Sequence, residues 1–293
     1  MNILITGQSS YITTRLKIWL ENYPKQYNVD TISLKTDEWK LVDFSKYDSV
    51  LHFAGIAHQK ESKKTREEYF KVNSKLTLDV AVKAKASKVT HFIFMSSMSV
   101  YGEEGTIGAD TTLNIKTKCN PNSFYGESKL DAENEITTLN DVNFSVSIIR
   151  APMIYGPNCP GNYAKLRTLV LKFKIFPLLE NKRSMIYIDN LSEFIRILLE
   201  KKTSGVFLPQ NNEWVSTKEL VFLLAHVHQN KIIFSHTLAI IVKKLDKKIK
   251  VFNKLFGNLT YEKEKYDDEF NYNVVDFENS IILTEKQWGV SNG

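Results

Sequence analysis

Residues Asn2–Thr14, NILITGQSSYITT, hold the clearest local pattern in the chain. The run Asn2–Thr6 is apolar and ends at Gly7, which is typical of a buried strand. Apolar residues then recur at helical spacing from Ile12 to Leu20, so a helix follows the glycine directly. A dinucleotide-binding fold places its pyrophosphate at the N-terminus of such a helix, and the stretch is a candidate for that site.

The candidate turn keeps only the first glycine of the usual three. Ser10 and Thr13 occupy the later positions, where glycine normally lets the backbone approach phosphates and lets the helix pack closely on the strand. Hydroxyl groups can donate hydrogen bonds to phosphate, but they add bulk. Taken alone, the turn fits a phosphate-binding loop and a plain strand–helix connection equally well.

Strand-like and helix-like segments alternate through the first half of the chain. A helix is predicted at 69–84, and further strands are predicted at 29–34, 49–53, 91–95 and 144–149. The alternation predicts an α/β fold: a doubly wound parallel (Rossmann-type) sheet with ligand sites at the carboxyl ends of its strands. We expect residues 1–155 to form a dinucleotide-binding domain, to which the chain returns near 184–200. Residues 156–293 are expected to form mainly a smaller C-terminal α+β substrate lobe.

The composition agrees with an ordinary globular protein. A chain of 293 residues buries enough surface to fold without disulfides or metals, and its two cysteines suit a reducing compartment. Neither a signal peptide nor a membrane-spanning apolar stretch is visible, so we expect a cytoplasmic protein. The net charge of +6 comes mostly from lysines spread along the chain, and nucleic acid is not an expected partner.

Tyr125 and Lys129 lie four residues apart in FYGESK, which looks like the start of a helix. At this spacing the two side chains share a helix face, and an ammonium beside a phenol lowers the pKa of the phenol. Tyr125 is therefore a candidate general acid and base. The same spacing recurs at Tyr261 and Lys265, where a solvated helix face is the expected explanation.

Three serines, Ser96, Ser97 and Ser99, follow a predicted strand in FMSSMSVYG. A hydroxyl at the carboxyl end of a strand can hydrogen-bond a substrate oxygen beside Tyr125. A polar turn at the strand end is the alternative interpretation.

A series of motifs extends this constellation along the chain: ITGQSSYI, LHFAGIAH, KVN, FMSSMSVYG, YGESK and RAPMIYGP. In this order they resemble the extended short-chain dehydrogenase/reductase, or NAD-dependent epimerase/dehydratase, family. The later stretches GNYAKL, NKRSMIYIDNL, FLPQNNEW and FGNLTYE are most similar to capsule and O-antigen UDP-2-acetamido-2,6-dideoxy-hexulose 4-reductases. The resemblance covers nearly the whole chain.

The resemblance implies a catalytic trio of Ser97, Tyr125 and Lys129. The implied reaction is NAD(P)H-dependent reduction of the C4 keto group of a UDP-4-keto-6-deoxy-acetamido sugar in surface polysaccharide synthesis. Tyr125 would protonate the C4 oxygen, Ser97 would orient it, and Lys129 would bind the nicotinamide ribose and lower the pKa of the tyrosine. Two alternatives stay open: a UDP-sugar 4-epimerase that retains NAD, and a non-catalytic dinucleotide- or nucleotide-sugar-binding protein, which the missing glycines favour.

The resemblance also assigns binding residues. Those toward the cofactor are Gly7, Ser10, Tyr11, Ile12, Asp43, Phe53, Ala54, Gly55, Asn73 and Lys129. Those toward the UDP-sugar substrate are His58, Asn162 and Arg183. A homodimer through a helix bundle that includes the Tyr125 helix is a further implication.

Cofactor choice depends on the end of the second predicted strand, Ser33-Leu34-Lys35. An acid at this position hydrogen-bonds the ribose 2′-OH of NAD, whereas a cation suits the 2′-phosphate of NADP. Lys35 therefore favours NADP(H), while NAD(H) stays open because Asp37 follows closely. No metal is expected, since His226 and His228 lack a nearby cysteine or carboxylate in the sequence.

Residues 238–256 combine helically spaced apolar residues with six lysines. Such a segment is typical of a helix that lies peripherally on an anionic membrane. The alternative, which the sequence favours, is a helix packed on the substrate lobe with a solvated lysine face.

Overall fold

The computed structural model describes residues 1–57 and 62–289. Its strands are β1 (Asn2–Thr6), β2 (Asn28–Ile32), β3 (Ser49–His52), β4 (His91–Ser97), β5 (Thr112–Leu113), β6 (Ser145–Ala151), β7 (Met153–Tyr155), β8 (Ile175–Pro177), β9 (Met185–Tyr187), β10 (Gly205–Phe207), β11 (Ile233–Ser235) and β12 (Thr260–Tyr261). Its α-helices are α1 (Tyr11–Leu20), α2 (Lys63–Tyr69), α3 (Leu76–Ala86), α4 (Phe124–Thr137), α5 (Asn162–Lys172), α6 (Ile188–Lys201), α7 (Thr217–Val227), α8 (His236–Leu245), α9 (Lys250–Phe256), α10 (Lys265–Phe270) and α11 (Phe277–Lys286). Within these ranges, no helix is long and apolar enough to cross a membrane.

The chain divides into two compact units. Unit 1 consists of residues 1–103, 115–151 and 192–209, and unit 2 of residues 104–114, 152–191 and 210–293. The chain therefore leaves unit 1 at residue 104 and returns at 115, then leaves it again at 152 and returns at 192. The boundary expected from the sequence was a single one after residue 155, with a return near 184–200.

Unit 1 is built on a six-stranded sheet in the order β10-β6-β4-β3-β1-β2, with every pair parallel. The predicted doubly wound parallel sheet is confirmed. Leu4, Val50 and Phe92 lie in one buried cluster with apolar residues of α3 and α4. Ile3 and Ile5 point to the opposite face and are also fully buried, so both faces of the sheet are covered.

The register of this sheet brings several predicted site residues to one edge. Thr6 of β1 pairs with His52 of β3, and Ser97 of β4 pairs with Ala151 of β6. Since parallel strands end at the same edge, Gly7, Phe53 and the end of β4 meet at one side of the sheet.

Two predicted helices differ from the structure. The predicted helix 69–84 is interrupted by a π-helical segment, Phe70–Lys75, which joins α2 to α3. The amphipathic segment 238–256 forms two helices, α8 and α9, with the break at residues 246–249. Lysines at 243, 244, 247 and 248 repel one another at helical spacing, which disfavours one continuous helix.

Unit 2 mixes helices with short parallel strand pairs, β5 with β12, β7 with β9 and β8 with β11. This is the α+β composition that the sequence predicted. Its buried carboxylate, Glu285, accepts hydrogen bonds from Tyr163 (2.9 Å) and Arg167 (2.7 Å) and contacts His228 Nε2 at 2.6 Å. One carboxylate thus ties α5 to α11 and to the end of α7.

Candidate active site

Helix α4 carries Tyr125 and Lys129 on one face and is fixed at its start by Ser123, whose Oγ accepts from Gly126 N at 3.2 Å. The hydroxyl of Ser97, at the end of β4, is near enough to the Tyr125 phenol to lower its pKa, and it donates to Ser99 Oγ at 3.1 Å. The Tyr69 ring lies edge-on to Tyr125, with 6.2 Å between ring centroids. The structure therefore brings Ser97 and Tyr125 together, as the resemblance implied.

The pKa of Tyr125 is raised in this structure, because burial disfavours the phenolate and the Ser97 hydroxyl offsets this only in part. Lys129, which was expected from the sequence to lower that pKa, is not among the groups that shift it here. The Lys129 ammonium instead donates to the carbonyl of Met95 at 2.9 Å. The phenol is consequently protonated at neutral pH.

Among the residues that the structure describes, no carboxylate is in direct contact with the buried cation Lys129. Its Nζ lies 4.5 Å from the centroid of the Phe94 ring, and Glu133 lies one helical turn further along α4. Burial lowers the pKa of Lys129 to about 8, although Glu133 opposes that shift. A ligand with an acidic or hydroxyl group next to this ammonium would stabilise its charged form and raise the pKa of Lys129 again.

Gly55 leaves space for a ligand beside that ammonium. It is exposed, and a Cβ atom built there would lie 3.0 Å from Asn73 Oδ1 and 3.4 Å from Lys129 Nζ. Asn73, which lies in the π-helical segment, is fully buried; it accepts from Ile56 N (2.8 Å) and donates to Ser128 Oγ (3.1 Å). The structure thus groups Gly55, Asn73 and Lys129, three of the residues assigned to the cofactor.

The turn after β1 is held closed by hydrogen bonds of its own side chains. Gly7 has φ +84°, and a Cβ there would lie 2.8 Å from Ala54 N, so glycine is required. Ser10 is the N-cap of α1 and its Oγ accepts from Thr13 N at 3.1 Å. Thr13 is fully buried and donates to the carbonyl of Gly7 at 2.9 Å. The two hydroxyls that replace glycines therefore close the turn from within.

These residues fit a dinucleotide. Gly7, at the end of β1, contacts the backbone that follows β3, and the N-terminus of α1 comes directly after it. At Gly55 the exposed backbone lies beside the buried ammonium of Lys129. Gly7, Ser10, Tyr11 and Ile12 would hold the pyrophosphate, and Lys129 a ribose. Phe53 is buried, and Ala54 is partly exposed where it faces Gly7.

Two cofactor residues predicted further out lie on the surface of unit 1. Lys35 is exposed three residues after β2. Asp43 is also exposed, and hydrogen bonds from the Ser45 hydroxyl and backbone lower the pKa of its carboxyl group. Both side chains are exposed and so accessible to a ligand, and the Asp43 carboxylate is held in place by its two hydrogen bonds from Ser45.

Two of the predicted substrate residues, Asn162 and Arg183, lie in unit 2. The third, His58, is outside the described residues. Asn162 is the exposed first residue of α5 in unit 2, after Gly161 at φ +91°. Arg183, also in unit 2, donates from Nη1 to the carbonyls of Gly257 (2.8 Å), Asn253 (3.3 Å) and Glu104 (3.4 Å).

A buried ionic network next to Lys129 was not predicted from the sequence. Glu133 of α4 binds Arg150 of β6 with 2.6 Å from Nη2 to Oε2, and it also accepts from Ser96. Arg150 Nη1 donates to Tyr101 OH at 2.8 Å. The sequence does show Glu133 one helical turn after Lys129, which indicates an acid on the same face of α4. Its partner Arg150 is 17 residues further along the chain and could not be identified from spacing.

Comparisons with known proteins agree with this geometry. The profile of the NAD dependent epimerase/dehydratase family matches residues 3–208. A UDP-glucose 4-epimerase of Vibrio cholerae is 37% identical over 186 residues, which are 60% of this chain and 56% of that protein. An N-acetyl-alpha-D-glucosaminyl-diphospho-ditrans,octacis-undecaprenol 4-epimerase of Escherichia coli O157:H7 is 26% identical over 221 residues, 70% of this chain and 65% of that protein. The matches thus span only part of these relatives.

Solved structures share the fold. RMD from Pseudomonas aeruginosa complexed with NADPH has a TM-score of 0.76 and 16% identity, covering 98% of this chain and 99% of that chain. UDP-glucuronic acid 4-epimerase from Bacillus cereus in complex with NAD has a TM-score of 0.75 and 18% identity, covering 98% of both. With a family match over more than two thirds of its length and the site geometry above, the chain belongs to the NAD dependent epimerase/dehydratase family.

Proposed function

We propose that the protein catalyses oxidoreduction at C4 of a UDP-sugar and that its reaction is 4-epimerisation. The observation that carries this proposal is that Tyr125 and the buried ammonium of Lys129 share one face of α4 and that the Ser97 hydroxyl, at the end of β4, acts on the Tyr125 phenol. The relatives with C4-epimerase names support the choice of C4 chemistry. Bound NAD would accept the C4 hydride and return it.

In this proposal Tyr125 moves a proton at the C4 oxygen. Its raised pKa keeps the phenol protonated at rest, which suits donation to the oxygen of a 4-keto sugar. The Ser97 hydroxyl lies near the phenol and would hold the same sugar oxygen. Lys129, whose pKa is about 8, is mostly charged at neutral pH and would favour the phenolate in the opposite step.

A second reaction at the same site is reduction of a UDP-4-keto-6-deoxy-acetamido sugar by NADPH for surface polysaccharide synthesis. The exposed cation Lys35 after β2 favours it, since a 2′-phosphate would find a positive charge there. The reductase consumes one NADPH per product, whereas the epimerase returns the hydride. Cofactor balance therefore separates the two.

The test incubates the purified protein with UDP-N-acetylglucosamine or UDP-glucose plus NAD and separates the sugar products. A 4-epimer without net change in absorbance at 340 nm supports the epimerase. Oxidation of NADPH in step with reduction of a UDP-4-keto sugar supports the reductase instead. Formation of neither product by protein that binds the cofactor would favour a non-catalytic binding protein, and Tyr125→Phe is the control throughout.

A lipid-linked sugar diphosphate is a further substrate class to include, because the E. coli O157:H7 relative is named for an undecaprenol-linked sugar. We also propose that Arg183 and Asn162 contact the diphosphate. Arg183→Lys keeps the charge but loses the fixed fork, so we expect a raised KM for UDP-sugar with little change in kcat. The homodimer stays a prediction, which light scattering of the purified protein would test.

A further inference from the structure

Unit 2 exposes an unusual set of large apolar side chains. Two segments, 169–175 and 233–251, hold nine of them: Leu169, Leu171, Phe173, Ile175, Ile233, Ile240, Ile241, Ile249 and Val251. The exposed fraction reaches 53% at Ile175 and 62% at Ile233, which are directly paired in β8 and β11. The two segments are therefore neighbours, and we call these nine residues the apolar surface.

The positive charge of the protein is concentrated around the same surface. Residues 162–177 and 230–257 contain eleven lysines and arginines and a single acid, Asp246. The whole chain has 39 basic and 33 acidic residues, which leaves 28 basic and 32 acidic residues elsewhere. The remainder of the chain is thus net negative, so the basic excess belongs to this part of unit 2 and the expectation of lysines spread along the chain was wrong.

Helix α8 shows how charge and apolar residues are combined. Its inner face, Ala239 and Val242, packs in a cluster with Leu179 and Phe256. Its outer face presents Ile240 (55% exposed) and Ile241 (45% exposed) together with exposed Lys243 and Lys244. The helix is therefore packed on its unit, as one alternative from the sequence predicted, but its outward face is not purely polar.

We propose that this surface docks the protein on a membrane rich in anionic lipid, with the isoleucines of α8 in the headgroup region and the lysines on lipid phosphates. Aliphatic side chains ringed by lysine match a bilayer interface, where apolar burial and attraction to anionic lipid add together. A nucleic-acid interface would instead use arginine and polar groups on a less aliphatic surface. The proposal does not depend on the reaction catalysed.

The experiment is flotation of the intact protein with vesicles of phosphatidylcholine containing about one third phosphatidylglycerol, against pure phosphatidylcholine. We expect binding to the anionic vesicles only, weakened by salt. The quadruple variant Lys243→Glu, Lys244→Glu, Lys247→Glu, Lys248→Glu should bind at least ~100-fold more weakly. Ile240→Ser with Ile241→Ser should lose about tenfold, because two half-exposed side chains no longer enter the interface.

The matched control is Lys17→Glu, Lys63→Glu, Lys64→Glu and Lys118→Glu, four exposed lysines of unit 1 that should leave binding within about twofold if the surface is specific. Circular dichroism and NADH binding check that each variant is folded; if the quadruple variant is not, the serine variant decides. No binding by the intact protein, or unchanged binding by the serine variant, would overturn the proposal. So would binding to duplex DNA without binding to vesicles.

Discussion

Two junctions lie at the carboxyl edge of the sheet in unit 1, one after β1 and one after β4. They differ in how well the protein itself satisfies their polar groups. After β1, Ser10 and Thr13 replace glycines, and their hydroxyls satisfy the turn internally. After β4, Lys129 is buried with a backbone carbonyl as its partner and a depressed pKa. The first junction gains stability by closing itself, and the second gives up stability to keep a charge ready for a ligand.

The largest effect should come from the second junction. Tyr125→Phe removes the proton donor but keeps the ring beside Tyr69, so kcat should fall by about 10²–10⁴-fold. NADH binding, followed by tryptophan quenching, should change little. A variant that retains more than a tenth of the activity would remove Tyr125 from the proposed chemistry.

Lys129→Met tests how far the buried charge of Lys129 lowers the free energy of unfolding. Below pH 8 the ammonium is charged in the folded and unfolded chains, and the cost of burying it is fully present. Between about pH 8 and 10.5 the folded chain loses the proton first, so the wild type gains about 1.4 kcal/mol per pH unit. The methionine variant lacks this gain.

Urea unfolding without added nucleotide, at several pH values from 7.5 to 9.5, measures the difference between the two proteins. We expect the variant to be the more stable at pH 7.5 and its advantage to shrink by about 2 kcal/mol across the range. A pH-independent difference would show that Lys129 titrates normally and would remove the contrast between the junctions.

Lys35→Glu sharpens the comparison at the cofactor. An acid after β2 suits the ribose 2′-OH and repels a 2′-phosphate, so the ratio of NADPH to NADH affinity should fall by at least about tenfold. Lys17→Glu, an exposed change on α1, is the matched control. An unchanged ratio would place Lys35 away from the ribose.

The smallest effect is expected at the first junction. Thr13→Val keeps the shape of the side chain but removes its bond to the carbonyl of Gly7, which should lower the free energy of unfolding by about 1 kcal/mol. Thr14→Val is the control, since Thr14 is exposed and bonds only within α1. Equal losses of unfolding free energy in both variants would mean that the buried hydroxyl of Thr13 stabilises the fold no more than the exposed hydroxyl of Thr14.

Much of unit 1 could be predicted because its signals are local. The strand at residues 2–6 is found as predicted, and the spacing of Tyr125 and Lys129 sufficed to place both on one helix face. The direction of the Tyr125 pKa could not be predicted, since it depends on burial by elements distant in sequence. For the same reason Arg150, the partner of Glu133, was not predicted. The break between α8 and α9 has a local cause, the repulsion among neighbouring lysines, which the apolar spacing alone did not indicate.

The π-helical segment Phe70–Lys75 shifts the phase between α2 and α3. A π turn holds one residue more than an α turn, and each residue advances a helix by 100°. Removing one residue here would restore a regular helix and rotate α2 against α3. Arg66 would then leave Glu127, and Tyr69 would leave the Tyr125 ring. A deletion in this segment would therefore rotate α2 away from α4 at the candidate active site, whereas a deletion in an exposed loop would only shorten that loop.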